Sequence, residues 1–172
     1  MRRIGYLVVG WAVLAAGCTS TYTQRNLTEP SAKLVRGKSV VIATPANGRY
    51  SNREYAGSGE MTALAVRDAF ARFTDSVTVS AAGKDLDSLK GDGSSHADYY
   101  VIPEILHWEE RATEWSGFPD RIHVKLSVYD GTARDEIVSV SIYGTSKRGT
   151  FGGDHPQDLL PEPINKWVES LY

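Results

Sequence analysis

The only cysteine of the chain, Cys18, stands directly behind a short apolar segment. This segment follows the basic residues Arg2 and Arg3, runs from Ile4 to Ala16 and ends in small residues. Secretory signal peptides have a basic start, an apolar stretch and small residues before the cleavage site. The apolar stretch here is shorter than the roughly 20 helical residues that span a bilayer. We therefore expect residues 1–17 to be removed on export.

The last residues of this segment, Leu14-Ala15-Ala16-Gly17-Cys18, resemble the lipobox of bacterial lipoproteins. In that family the cysteine thiol is acylated with diacylglycerol and becomes the new amino terminus. Ala15 replaces the commonest leucine, which stands one place further out as Leu14, and Thr19 follows the cysteine. The resemblance implies a lipid anchor at Cys18 in the periplasmic leaflet of the outer membrane. The alternative is an ordinary cleaved signal that leaves a free thiol.

Length and charge limit what the exported chain can be. Removing 17 of the 172 residues leaves 155, a length that fits one domain. The loss of Arg2 and Arg3 lowers the number of Lys and Arg residues from 19 to 17, while the 21 Asp and Glu residues remain, so the net charge of the exported chain is −4. A mildly acidic domain lacks the basic footprint that binding to nucleic acid or to anionic headgroups requires. Residues 18–35 are mostly polar, contain Pro30 and predict a flexible tether, and residues 36–172 predict one globular domain without a disulfide.

The first half of this domain predicts a β-α-β unit. The apolar run Ser39–Thr44 is typical of a strand buried on both faces. An amphipathic pattern over 59–73 predicts a helix, for which Ser58 is the expected N-cap. A short alternating segment, Ser76–Ser80, predicts a second strand.

The second half predicts an antiparallel meander followed by a helix. A long strand starts at Tyr99, with Pro103 indicating a bulge or an edge, and further strands are expected around 122–129 and 137–143. Residues 164–171 carry apolar side chains at helical spacing. We therefore predict an α/β domain of the α+β type: a two-layer mixed sheet of about five strands, one long helix after the first strand and one C-terminal helix, with the strand order undetermined.

Several long motifs resemble proteobacterial lipoproteins that are catalogued only as a domain of unknown function. They are 103–109, 111–117 with 119–121, and 151–161. The resemblance implies location more than chemistry. More weakly, the element order, with Ala97-Asp98 and Asp130-Gly131 at turns, is similar to the amino-terminal domain of the TolB translocation protein and to the curli-secretion lipoprotein domain. That similarity implies contacts with periplasmic proteins.

The motifs of common enzymes do not stand out in this sequence. It lacks a G-x-S-x-G elbow, and its four histidines, His96, His107, His123 and His155, lack metal-ligand spacing, so no catalytic residue, metal or cofactor is expected. His107 and Glu109 are predicted on one side of a solvated strand, with Trp108 and Glu110 on the other. The glycine-rich segment 149–154 predicts a turn, with Asp154 or His155 capping a short helix near Pro156.

One cluster, which we call the aromatic-arginine patch, is the candidate binding surface. It consists of Trp108, Arg111, Trp115, Phe118 and Arg121. Exposed aromatic and arginine side chains are typical contact anchors, although these aromatics could equally cover the sheet or clamp the hairpin.

Two functions remain open from the sequence. The favoured one is a lipid-anchored, periplasm-facing, non-enzymatic binding or assembly module with an unidentified envelope protein as its partner. The alternative is an envelope enzyme that acts on glycan or lipid through Glu104, Glu109 and Glu110, which requires a cleft holding two of these carboxylates.

Overall fold

A computed structural model describes residues 19–30, 32–81, 85–91, 96–111, 117–133, 135–147 and 155–172. Its main sheet has six strands in the order β1-β8-β7-β6-β2-β5, and β3 and β4 form a separate small hairpin. The strands are β1 (Thr21–Thr28), β2 (Val40–Ala43), β3 (Arg49–Tyr50), β4 (Arg53–Glu54), β5 (Val77–Ser80), β6 (Tyr99–Glu109), β7 (Arg121–Asp130) and β8 (Glu136–Thr145). The helices are α1 (Ser58–Phe70), α2 (Leu86–Gly91), a 3₁₀ helix (Pro156–Leu159) and α3 (Pro161–Leu171).

The predicted β-α-β unit is confirmed. All four residues of β2 are buried, and β2 pairs in parallel with both β5 and β6, which places it in the sheet interior. The expected N-cap is wrong, however, because Gly57 holds that position with a φ of 83°. Ser58 lies in the first turn instead, where its hydroxyl donates to the Tyr55 carbonyl and accepts the Gly48 N–H. Glycine suits the cap because it adopts a left-handed backbone without steric cost.

The predicted meander of β6, β7 and β8 is also confirmed. Pro103 lies where the sequence predicted an edge, because the register of β6 with β2 runs only from Tyr99 to Val101. On its other side Pro103 is paired with Leu126. A register shift follows between Ile105 and His107. Strand β6 therefore loses its pairing with β2 after Val101 and shifts its register with β7 by one residue a few positions later.

The predicted flexible tether is wrong over Thr21–Thr28, which form the edge strand β1. This strand pairs antiparallel with β8, from Thr21 opposite Thr145 to Thr28 opposite Ser139. Six of its eight residues are exposed, so it lacks the apolar alternation by which a half-buried strand is recognised. The following segment is also tied down: Leu34 is buried and its N–H donates to the Leu171 carbonyl. The domain therefore starts only a few residues after Cys18.

The core lies between the sheet and the two longer helices. The predicted apolar stripe of α3 is confirmed, with Ile164, Trp167, Val168 and Leu171 all buried against α1 and the sheet. On the opposite face, Leu89 of α2 packs into a smaller cluster with side chains of β2 and β6. The two-layer α+β prediction holds, and α2 adds a small cover over this second face.

Asp98 joins the start of β2 to the start of β6. Its carboxylate accepts the N–H and the hydroxyl of Ser39, at 2.9 and 2.7 Å, and the ammonium of Lys38 at 2.9 Å. The hydrogen bond from the Ser39 hydroxyl, then those from Lys38 and the Ser39 N–H, lower the pKa of Asp98 to about 2. The ionised form therefore stabilises the folded state.

Asp98→Asn is expected to lower the free energy of unfolding by about 1 kcal/mol or less near neutral pH, since charge-assisted hydrogen bonds are lost but solvent screens a side chain that is 38% exposed. Because the folded pKa lies below the ordinary 3.8, this contribution is present above about pH 4 and is lost as the pH falls through about 2. Urea denaturation of both chains across this range checks it. A difference that stays constant down to about pH 2 would assign the effect to packing instead of charge.

Candidate functional site

The chemically richest part of the described structure lies where β6 ends and β7 begins. Glu109, the last residue of β6, stands opposite Arg121, the first residue of β7. The carboxylate of Glu109 is only 1% exposed. Its neighbour Trp108 and the opposing Ile122 face the main core, so Glu109 lies on the other face of the sheet. We call Glu109, His107, Arg111 and Arg121 the Glu109 cluster.

Three basic side chains surround this carboxylate. Arg111 donates from Nε to Oε1 at 2.5 Å and also forms an ion pair through Nη2. His107 Nε2 lies 3.3 Å and Arg121 Nη1 3.8 Å from Oε2. Burial raises the pKa of Glu109, but hydrogen bonds from Arg111 and His107 and the charge of Arg111 outweigh it, so the pKa is lowered overall. Glu109 is held as a structural anion and both its oxygens are occupied.

Arg111 links this cluster to three neighbouring parts of the molecule. Its backbone N–H donates to the Asp120 carboxylate at 2.6 Å, and its guanidinium lies 5.1 Å from the centre of the Phe118 ring. Its Nη2 lies 3.5 Å from the hydroxyl of Tyr50, which belongs to the β3–β4 hairpin. Tyr50 in turn contacts the ring of His107 edge to face. The small hairpin therefore covers Glu109 from the solvent side.

The structure divides the aromatic-arginine patch predicted from the sequence. Trp108 is 2% exposed and belongs to the core, so of the alternatives that the sequence left open it covers the sheet and does not form an exposed contact anchor. Arg111 and Phe118 lie together, Phe118 is 57% exposed, and Arg121 adjoins them through the Glu109 cluster. Trp115 lies outside the described residues. A role in binding for Arg111, Phe118 and Arg121 stays a prediction.

The predicted solvated strand face is also wrong at Glu109. His107 and Glu109 do share one side of β6, as expected, but the β3–β4 hairpin and Arg111 bury the carboxylate between them. The available signal in the sequence was the basic residue two places after Glu109. It did not show that the hairpin would close over the pair.

The three carboxylates considered for catalysis do not meet. Glu104 pairs with Lys125 at 3.0 Å on the open sheet face, and Glu109 is enclosed as described. Glu110 lies 3.1 Å from His155 Nδ1 and 3.7 Å from Arg53. A cleft of about 330 Å³ beside Glu110 is lined by Arg53, Glu54, Tyr55, Ala56, Ser58, Met61, Trp108, Glu110 and Gln157, a set that includes neither Glu104 nor Glu109.

Other sequence expectations have separate outcomes. His155 stands at the N-cap of the 3₁₀ helix, as predicted, and its N–H donates to the Asp158 carboxylate. The glycine-rich segment 149–154 lies outside the described residues, as does Cys18.

Within the described ranges, no group of three or more His, Cys, Asp or Glu side chains is placed to hold a metal ion. No helix among these ranges is long and apolar enough to cross a membrane.

Solved structures share this fold. A variant PelC dodecamer from Paraburkholderia phytofirmans has a TM-score of 0.59 at 17% identity, over 88% of this chain and 96% of that chain. A second PelC dodecamer has a TM-score of 0.55 at 18% identity, over 88% and 91%. A DUF330 protein from Xanthomonas campestris has a TM-score of 0.54 at 12% identity, over 83% and 92%. At these sequence identities the structural similarity establishes a shared fold and no shared function.

The family relationship comes from the sequence. No curated protein matches the chain. A family model described as a domain of unknown function, DUF4823, matches residues 32–171, which span the sheet from β2 onward and all the helices. This confirms the assignment to a family of unknown function that the long motifs predicted. The chain therefore belongs to the DUF4823 family.

Proposed function

We propose that this chain is an envelope lipoprotein, anchored through Cys18 in the periplasmic leaflet of the outer membrane, that acts as a non-enzymatic binding or assembly module. The lipobox-like segment supports the anchor. The partner is an envelope protein or a second copy of this chain. The main support for a binding role is the position of β1 at the end of the strand order.

Strand β1 lies at one end of the six-stranded sheet. Among the described strands it pairs with β8 alone, and its other edge faces away from the sheet. The strand contains no proline, and its only charged residue is Arg25. Such an edge accepts a strand from another chain through backbone hydrogen bonds. The edge at the other end of the sheet, β5, has only four residues.

The fold relatives support assembly as the form that binding takes. The two PelC structures are of dodecamers, and they cover 88% of this chain. A fold that builds such an assembly in one protein is compatible with assembly in another, although fold alone does not specify partners. We therefore propose β1 as the edge through which this module joins its partner.

A photoreactive phenylalanine in place of Arg25 tests this proposal in the native envelope. The same residue in place of Glu60, an exposed position in the first turn of α1, is the matched control. We expect one discrete adduct from position 25 and none from position 60. An adduct of twice the chain mass identifies a second copy, and any other mass identifies a different protein. Equal labelling at both positions, or none, would contradict a role for β1.

One observation favours the enzymatic alternative. Glu110 and His155 form a carboxylate–imidazole pair beside the 330 Å³ cleft, an arrangement suited to proton transfer. Purified chain and its Glu110→Gln variant should be compared on envelope glycan and lipid. Turnover that the variant loses would support the enzyme. We expect no turnover by either chain.

A further inference from the structure

The position of β1 fixes how far the domain can stand from its anchor. Cys18 precedes Thr21 by three residues, which span at most about 11 Å when fully extended. Thr21 is itself paired with Thr145 at the end of β8. A flexible tether over 18–35 would have let the domain turn freely near the membrane. With β1 in the sheet, the end of the sheet that contains Thr21 must stay close to the acylated residue.

The strand register identifies what else lies at this end. Thr21 stands opposite Thr145, Thr145 opposite Arg121, and Arg121 opposite Glu109. Adjacent strands are about 4.8 Å apart, so Arg121 lies about 10 Å from Thr21 across the sheet. Phe118, which stands three residues before the start of β7, therefore lies at the same end of the sheet as Thr21. We call this the anchored end.

The chemistry of the anchored end suits the headgroup region of a bilayer. Phe118 is 57% exposed beneath the guanidinium of Arg111, and Arg121 is 43% exposed. Lys147 stands two residues after the last residue of β8. Phenylalanine side chains of interfacial segments enter the boundary between headgroups and acyl chains, and arginine side chains donate to lipid phosphates while their stems cover apolar surface.

The acidic residues of the anchored end are enclosed or paired, and further acidic residues lie at the far end of the sheet. At the anchored end Glu109 is enclosed by basic groups, Asp120 is buried, and Glu110 is paired with Arg53 and His155. The far end of the sheet carries acidic residues, namely Asp98, Asp130, Asp135 and Glu136. At the anchored end Arg111, Arg121 and Lys147 outnumber the carboxylates of Glu109 and Asp120, so an overall acidic chain presents an excess of positive charge on the side that faces lipid phosphates.

We infer that the anchored end, through Phe118, Arg111, Arg121 and Lys147, rests in the headgroup region of the same bilayer that holds the acyl chains of Cys18. This inference rests on the proposed lipidation of Cys18. The acidic end of the sheet then points away from the membrane, and β1 runs outward from the bilayer.

The chain offers a clean way to test this orientation. It has one cysteine, which acylation blocks, so an introduced cysteine is the only free thiol of the lipidated protein. Phe118→Cys places a fluorophore at the anchored end. Leu27→Cys is the matched control, because Leu27 is 48% exposed and lies about 20 Å further along β1. Lys147→Cys provides a second position at the anchored end.

The lipidated chains are reconstituted into vesicles of phosphatidylethanolamine and phosphatidylglycerol, with and without spin-labelled lipid. We expect the probes at 118 and 147 to be quenched several-fold more by spin-labelled lipid than the probe at 27, and less by aqueous iodide. Equal quenching at all three positions would overturn the inference, as would probes at 118 and 147 that the lipid leaves unquenched. Flotation and mass report lipidation separately, so a chain that is not acylated overturns the proposed function and the inference together.

Discussion

Trp108→Ala is expected to lower the free energy of unfolding by about 3 to 5 kcal/mol, the usual cost of deleting a large buried aromatic side chain. Trp108 is 2% exposed, stands opposite Ile122 of β7 and packs so closely on Gly48 that a Cβ there would lie 2.4 Å from the Trp108 Cβ. Removing the indole leaves a cavity that the neighbouring backbone cannot fill. Urea denaturation at neutral pH measures the loss.

Phe118→Ala is the matched control within the same predicted patch. Because Phe118 is 57% exposed, its removal is expected to cost less than about 1 kcal/mol. Similar small losses for both variants would contradict the burial of Trp108 and place it at the surface. Similar large losses would instead make Phe118 part of the core and remove it from any binding surface.

Glu109→Gln is expected to lower the free energy of unfolding by about 2 to 3 kcal/mol, since it leaves partly buried cations without their anion. The variant keeps the size of the side chain, so the loss reports charge and hydrogen bonding more than packing. Because the folded pKa of Glu109 is below its ordinary 4.5, its contribution is present above that pH and is lost on acidification. The difference from wild type should therefore shrink in acid.

Glu104→Gln is the control on the same strand and the same face. Glu104 is 48% exposed and pairs with Lys125, so the variant is expected to lose less than about 1 kcal/mol. Denaturation of the two variants side by side gives the comparison. Equal losses would mean that Glu109 is as solvated as the sequence suggested, and that the β3–β4 hairpin does not close over it.

The apolar patterns predicted most of the sheet because its strands bury at least one face. Val124, Leu126 and Val128 alternate with polar side chains, and β2 is apolar throughout, as a central strand must be. Strand β1 was missed for the same reason. An edge strand that is exposed over most of its length needs no apolar alternation, so its polar sequence reads as a tether.

The site was only partly predictable because it depends on a one-residue shift in the register of β6 against β7. Up to Ile105, odd-numbered residues of β6 face the main core, and continued alternation would turn Trp108 outward. The register shift between Ile105 and His107 reverses this order and brings Trp108 inward. Glu109 then faces the other side, where Tyr50 and Arg111 from separate segments cover it. Local spacing does not reveal such long-range cover.

The intact mass of the protein purified from its native envelope is the measurement that tests the proposed anchoring most directly. We predict a chain that begins at Cys18, lacks residues 1–17 and carries the mass of a diacylglyceryl group with a further acyl chain on its first residue. A chain that retains residues 1–17, or one that begins at Cys18 with an unmodified thiol, would contradict the proposed anchoring.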